Sequence, residues 1–238
     1  MLLKAGFIVI AGAILAWVWM ALGRATAACG DPPSVAGRMR RRFMLVAAGW
    51  VGLALLMAQT GVLRQWDRRP PPLVFLLVSI VGLGVIVARS TAGDRLSRGV
   101  SLAGLVGLQA FRLPLEVLMH QAAVEGVMPV QMSYSGWNFD VLTGLTAIGL
   151  AVWLQVGRPP RRLVWIWNVL GLALLANIVT IAVASSPIVA WFGSTPDRLN
   201  TFVTYPPYVL LPAVMVLAAW AGHLLIFRAL GAGRRLGA

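Results

Sequence analysis

Charge is scarce in this chain. Of its 238 residues only 11% are charged and 59% are apolar, whereas a soluble domain carries about 25% charged residues. That shortage excludes an ordinary soluble domain. Cysteine is scarcer still. Cys29 stands alone, which excludes an internal disulfide and a cysteine metal cluster. Lysine occurs once, at Lys4, and the other 19 of the 20 basic residues are arginine. The last apolar run therefore lacks a lysine for a Schiff base, and a retinal-type pigment is excluded. Histidine occurs only as His120 and His223, fewer than a seven-span zinc hydrolase of the ceramidase type requires. No serine sits in a Gly-x-Ser-x-Gly setting, so nucleophilic catalysis has little support.

What the chain does contain is continuous apolar sequence. Several runs approach the ~20 residues that cross a bilayer as a helix. They do not alternate with polar residues, which argues against a β-barrel. The reading is all-α, a polytopic transmembrane bundle forming one integral membrane domain over residues 1–238. About seven spans are expected, near 5–22, 43–63, 73–88, 100–120, 139–156, 163–184 and 205–228. Pro70-Pro71-Pro72 and Pro159-Pro160 break the chain between spans, because proline lacks the amide donor that a helix interior needs. Ala25-Thr26-Ala27 resembles a small-residue cleavage site. Arg24 lies in front of it, however, and Arg38, Arg40, Arg41 and Arg42 follow. Such a segment resists translocation, so the first run is read as a retained span and Cys29 as a cytoplasmic loop thiol.

The basic residues set the orientation. Loops one, three and five and the tail hold 14 of them, and the opposite side holds 5. Arg112 is left inside the membrane. This bias gives an N-out/C-in layout. The net charge of +13 then reflects cytoplasmic loops, and no nucleic-acid partner is expected.

Span four carries the polar residues that matter most. Gln109, Arg112, Glu116 and His120 are spaced by three, four and four. At about 100° per residue they fall within roughly 80° of one helix face. Ionisable groups rarely face lipid, so this stripe is expected to point inward. Pro114 beside it should kink the helix. Asn138 and Asp140 open span five at the same outer level, with Thr143 after them. Asn168 and His223 are exceptions near the inner side. The expectation is an outward-facing polar pocket bounded by Arg112, Glu116, His120, Asn138 and Asp140 and closed below by apolar packing.

That pocket would bind a small anionic or amphipathic ligand. Arg112 would hold an anionic group, and Glu116 or Asp140 would carry a proton if transport is the function. Alternatively Arg112 and Glu116 form an internal ion pair and the cluster is structural, as in an accessory subunit of a membrane complex. A membrane enzyme using His120 or Asp140 as its proton-active group is a third option. No cofactor is expected. His120 and His223 would sit roughly 20 Å apart in depth, too far for one haem. A metal at the rim would use His120, Glu116, Asp140 and Glu125, but no ligand spacing supports it and Arg112 opposes a cation.

The segment Phe111-Arg-Leu-Pro-Leu-Glu-Val-Leu-Met-His120, then Gly126, Pro129, Met132, Gly136-Trp-Asn-Phe-Asp140 and Gly144-Leu-Thr146, resembles a pattern in uncharacterised bacterial multi-pass membrane proteins. The resemblance implies a bacterial inner-membrane location and carries no assigned activity.

Overall fold

The computed structural model describes residues 2–232. Arg234 and Arg235, counted above in the tail, lie outside them. Among the described residues the regular structure is entirely helical. The helices are α1 (Leu2–Ala28), α2 (Pro33–Gln59), α3 (Pro72–Arg89), α4 (Thr91–Gly99), α5 (Leu102–Leu108), α6 (Arg112–Val124), α7 (Val141–Val156), α8 (Arg161–Ala184) and α9 (Leu217–Gly231). Six stretches are long and apolar enough to cross a membrane, and α7 is a shorter apolar helix of the same kind. The all-α bundle with about seven spans is therefore what the chain forms.

The boundaries differ from the expected ones in ways that have local causes. α1 and α2 extend through the arginine-bearing segment and leave only residues 29–32 as a turn. Pro33 takes the first helical position of α2, where its missing N–H is no loss. The stretch after Arg89 forms α4, with the Ser90 side chain accepting from Gly93 N at 3.1 Å as an N-cap.

Span four is broken into two helices by a 3-10 turn over Gln109–Phe111. Pro114 has no N–H to give the Ala110 carbonyl four residues back, so the ladder fails there. Span seven opens with a π-helical turn over Leu211–Val216. Trp50 Nε1 from α2 donates to the Ala213 carbonyl in that turn at 2.8 Å.

α4 and the ends of α1 and α9 meet at one end of the bundle, the arginine-rich end, which carries Arg95, Arg98 and Arg228. There Arg95 holds Asp31 through two hydrogen bonds of 2.5 and 2.9 Å. Asp94 is met by Arg98, by Arg95 at 3.2 Å and by Arg228 at 2.6 Å. Partial burial pushes the Asp94 carboxyl up, but the three arginines outweigh it and hold it below the usual carboxylate value.

Buried apolar side chains form two clusters stacked along the bundle. One, at the arginine-rich end, includes Leu22, Leu96, Val106, Leu150, Val164 and Ile226. The other, in the opposite half, includes Phe7, Ile80, Met119, Ile178, Tyr208 and Met215. Where the clusters meet, α6, α7, α8 and α9 each supply buried polar side chains: Arg112, Thr143, Asn168 and His223 among them. A polar belt thus crosses the interior between two apolar blocks.

Candidate functional site

The belt is assembled by close helix approach. A Cβ at Gly144 of α7 would stand 2.3 Å from Leu113 N, so only glycine lets α7 lie against the backbone of α6 at this point. A Cβ at Gly171 of α8 would meet the His223 ring at 2.7 Å. These two approaches bring side chains from four helices within bonding distance.

Arg112 is 1% exposed and sits at the centre. Its Nε donates to Asp140 Oδ2 at 2.5 Å and its Nη2 donates to Asp140 Oδ1, a two-point ion pair. Its Nη1 donates to the Gly171 carbonyl at 3.3 Å and bonds His223 Nε2 at 2.9 Å. A guanidinium only donates, so Nε2 of His223 accepts and its Nδ1 carries the proton. That proton goes to Asn168 Oδ1 at 2.8 Å, and Asn168 Nδ2 returns a bond to the His223 carbonyl at 3.1 Å. Thr143 Oγ1 donates to Asp140 Oδ1 at 3.1 Å.

Glu116, also 1% exposed, stands apart from this ion pair. The Arg112–Glu116 ion pair of the structural alternative does not form. Asp140 takes the guanidinium instead, because the α6–α7 contact at Gly144 presents its carboxylate edge-on. Glu116 Oε2 accepts from Asn138 Nδ2 at 2.7 Å. Asn138 also donates to the Met132 carbonyl at 3.0 Å and accepts from Asp140 N at 3.0 Å. It thereby ties Glu116 to the start of α7.

Asp140, expected to open span five at the outer level, is 4% exposed and enclosed by protein. α7 has 16 residues, about 24 Å of helix, which is short of the ~30 Å hydrocarbon layer. The loop before it packs into the bundle. Gln131, Ser133, Asn138 and Asp140 in this loop are all buried. Irregular backbone at this depth is tolerated because protein groups satisfy it. Gln131 Nε2, for example, donates to Ser185 Oγ at 3.1 Å and to the Arg198 carbonyl at 2.7 Å.

The polar stripe of span four therefore splits. Arg112 and Glu116 enter the belt together with Asn138 and Asp140. Gln109 is buried nearby but bonds only the Ala219 carbonyl, at 3.3 Å, and its Oε1 has no partner. His120 is not brought in. It is half-buried, bonded to Ser135 Oγ at 3.0 Å and stacked on Tyr134 with ring centroids 4.4 Å apart. The residues considered as rim metal ligands do not converge, and no group of three such side chains lies together among the described residues.

His223 and Asn168, expected as exceptions near the inner side, complete the belt. Span seven runs over Leu211–Gly231, not from Tyr205, so His223 lies near its middle. The signal was their shared status: two polar residues excluded from the outer group, on neighbouring spans, are natural partners.

Above the belt, in the half away from the arginine-rich end, lies a cavity of about 370 Å³. Its walls are almost wholly apolar, from α3, α6, α8 and the π-helical turn, with Arg112, Glu116 and Asp140 at its polar end. The expected polar funnel is thus an apolar chamber with a small charged floor. A cavity of this size falls at the low end of the ~300–1,000 Å³ typical of small-molecule sites.

No curated protein and no solved structure matches the chain. A family model described as "Domain of unknown function (DUF8737)" matches residues 71–231. The matched segment contains every residue of the polar belt. It covers more than half of the chain, which therefore belongs to the DUF8737 family.

Proposed function

We propose that the chain is a membrane-embedded binding protein for a small amphipathic molecule, acting as its carrier across or along a bacterial inner membrane in the N-out/C-in orientation. The observation that carries this reading is the cavity. Apolar walls suit a hydrocarbon body, and the buried Glu116 at the floor suits one polar group. Arg112 is spent on Asp140, Gly171 and His223, so the anion-holding role expected from the sequence is dropped.

Small-molecule mass spectrometry of the protein purified in mild detergent tests this. Ile178 lines the cavity on α8, and Ile178→Trp fills it without touching the ion pair. A molecule that co-purifies with the parent and is lost from the folded variant supports the reading. Retention by both, or by neither, contradicts it.

A structural or accessory subunit is the second reading. Its support is α2, which buries only Ala54 and Ala58 against the rest of the chain. Stoichiometric partners that stay bound in mild detergent would favour it.

A further inference from the structure

The cavity has two features that the binding reading does not use. Its charged floor keeps an unmatched carboxyl oxygen, and its mouth is apolar. Glu116 lines the chamber and spends only Oε2, on Asn138; Oε1 takes no hydrogen bond from the protein. No cation lies in salt-bridge contact with Glu116 among the described residues. Four of the five Arg112 N–H donors at the floor already serve Asp140, Gly171 and His223. A ligand that leaves this oxygen of Glu116 unmatched incurs the cost of burying it, and a ligand that donates to it removes that cost.

The mouth can be identified from the lining residues that also reach the molecular surface. These are Val74 and Val81 of α3, Val183 of α8, and Ile188 and Val189 of the following loop. All five are aliphatic. α3 and α8 each pack on α9 rather than on one another, so the gap between them faces the bilayer. Beside Ile188 and Val189 the loop carries Trp191, 80% exposed, a residue type favoured at the membrane interface. An opening to water would be expected to carry polar rim residues, and this one carries none.

We infer that the ligand reaches the chamber from within the bilayer, through the gap between α3 and α8, and that it is a long-chain molecule whose head group donates hydrogen bonds, an ammonium or a hydroxyl, to Glu116. The hydrocarbon chain fills the apolar chamber and trails through the gap. A carboxylate head is disfavoured because it would be a third acid beside Glu116 and Asp140, whose single cation, Arg112, is already paired with Asp140. This inference rests on the binding reading above and adds the route and the head-group class.

The test uses the full chain in phosphatidylcholine vesicles with photoreactive diazirine probes. Three membrane-borne probes of one chain length carry an amine, a hydroxyl or a carboxylate. A fourth is a short photoreactive alkylamine that stays in water. Labelled residues are mapped by peptide mass spectrometry. The amine and the alcohol should label Leu115 and Met119, deep in the chamber, about ten-fold more than the acid, the size of one charge-assisted hydrogen bond. Val183→Trp, which plugs the gap at a surface position, should remove those deep labels and keep labels on the lipid-facing surface. Deep labelling by the acid at an equal or higher level overturns the head-group assignment. Deep labelling by the water-borne amine alone, or deep labels that survive Val183→Trp, overturns the route while cavity binding stands. If no probe reaches Leu115 or Met119, the inference and the binding reading fall together.

Discussion

Arg112 and Asp140 lie 28 residues apart in sequence and meet edge to edge, with Nε and Nη2 of the guanidinium on the two carboxylate oxygens. The pair is buried on both sides, at 1% and 5% side-chain exposure. It joins α6 to α7, and through His223 and Asn168 it reaches α9 and α8. Removing one member leaves an uncompensated charge in the belt. Asp140→Ala or Arg112→Ala should destabilise the bundle by roughly 3–5 kcal/mol. The combined change Arg112→Met with Asp140→Leu should cost less than either alone, because apolar residues can replace a buried pair. Unfolding in mixed detergent micelles, run as a double-mutant cycle, measures the difference.

The approach of α6 and α7 depends on Gly144. A methyl group there would meet Leu113 N at 2.3 Å and Arg112 C at 2.9 Å, both of them backbone atoms that cannot turn aside. Gly144→Ala should therefore cost about 1–3 kcal/mol, the range for forced overpacking. Gly149, five residues further along the same helix, has open space at its Cβ position. Gly149→Ala should be neutral or gain up to about 1 kcal/mol from the lower flexibility of alanine. Comparing the two variants by thermal unfolding separates helix propensity from packing.

The clasp at the arginine-rich end gives a pH dependence with a fixed sign. Asp94 is pushed up by partial burial and pulled down more strongly by Arg98, Arg228 and Arg95, for a net lowering. A carboxyl lowered on folding contributes stability that is complete above its unfolded value of about 3.9 and is lost as pH falls through the lower folded value. Asp94→Asn should remove about 1 kcal/mol or less at neutral pH, since the group is partly solvated. The gap between parent and variant should close as pH drops below about 4. High salt should narrow it as well. Stability measured against pH and ionic strength for both proteins checks this.

How much of this was legible in the sequence varied with the kind of signal. Continuous apolar runs fix the spans well, because only helices of about that length satisfy the backbone in lipid. The inward face of span four was also legible, since Arg112 and Glu116 could not face hydrocarbon. Pairing was not legible. Helical spacing suggested Arg112 with Glu116, but the choice between Glu116 and Asp140 depended on which helix could approach closest. Gly144 decided it, and a single glycine among 25 gives no such signal alone. The deep loop before α7 was missed for a similar reason. A polar, turn-rich segment reads as solvent-exposed, whereas here Asn138 and Gln131 satisfy buried groups.

Glu116 and Asp140 are both buried acids on the cavity floor, and they should behave differently when neutralised. Glu116→Gln keeps an oxygen for Asn138, so its stability should fall by about 1 kcal/mol or less. Asp140→Asn loses the charge that balances Arg112 and should be strongly destabilised. The decisive measurement is ligand retention per folded molecule in Glu116→Gln, taken together with its unfolding midpoint. A folded, near-parental Glu116→Gln protein that retains about ten-fold less ligand would support the division between a structural ion pair and a free binding carboxyl. A Glu116→Gln protein that unfolds as readily as Asp140→Asn, or that retains ligand at the parental level, would contradict it.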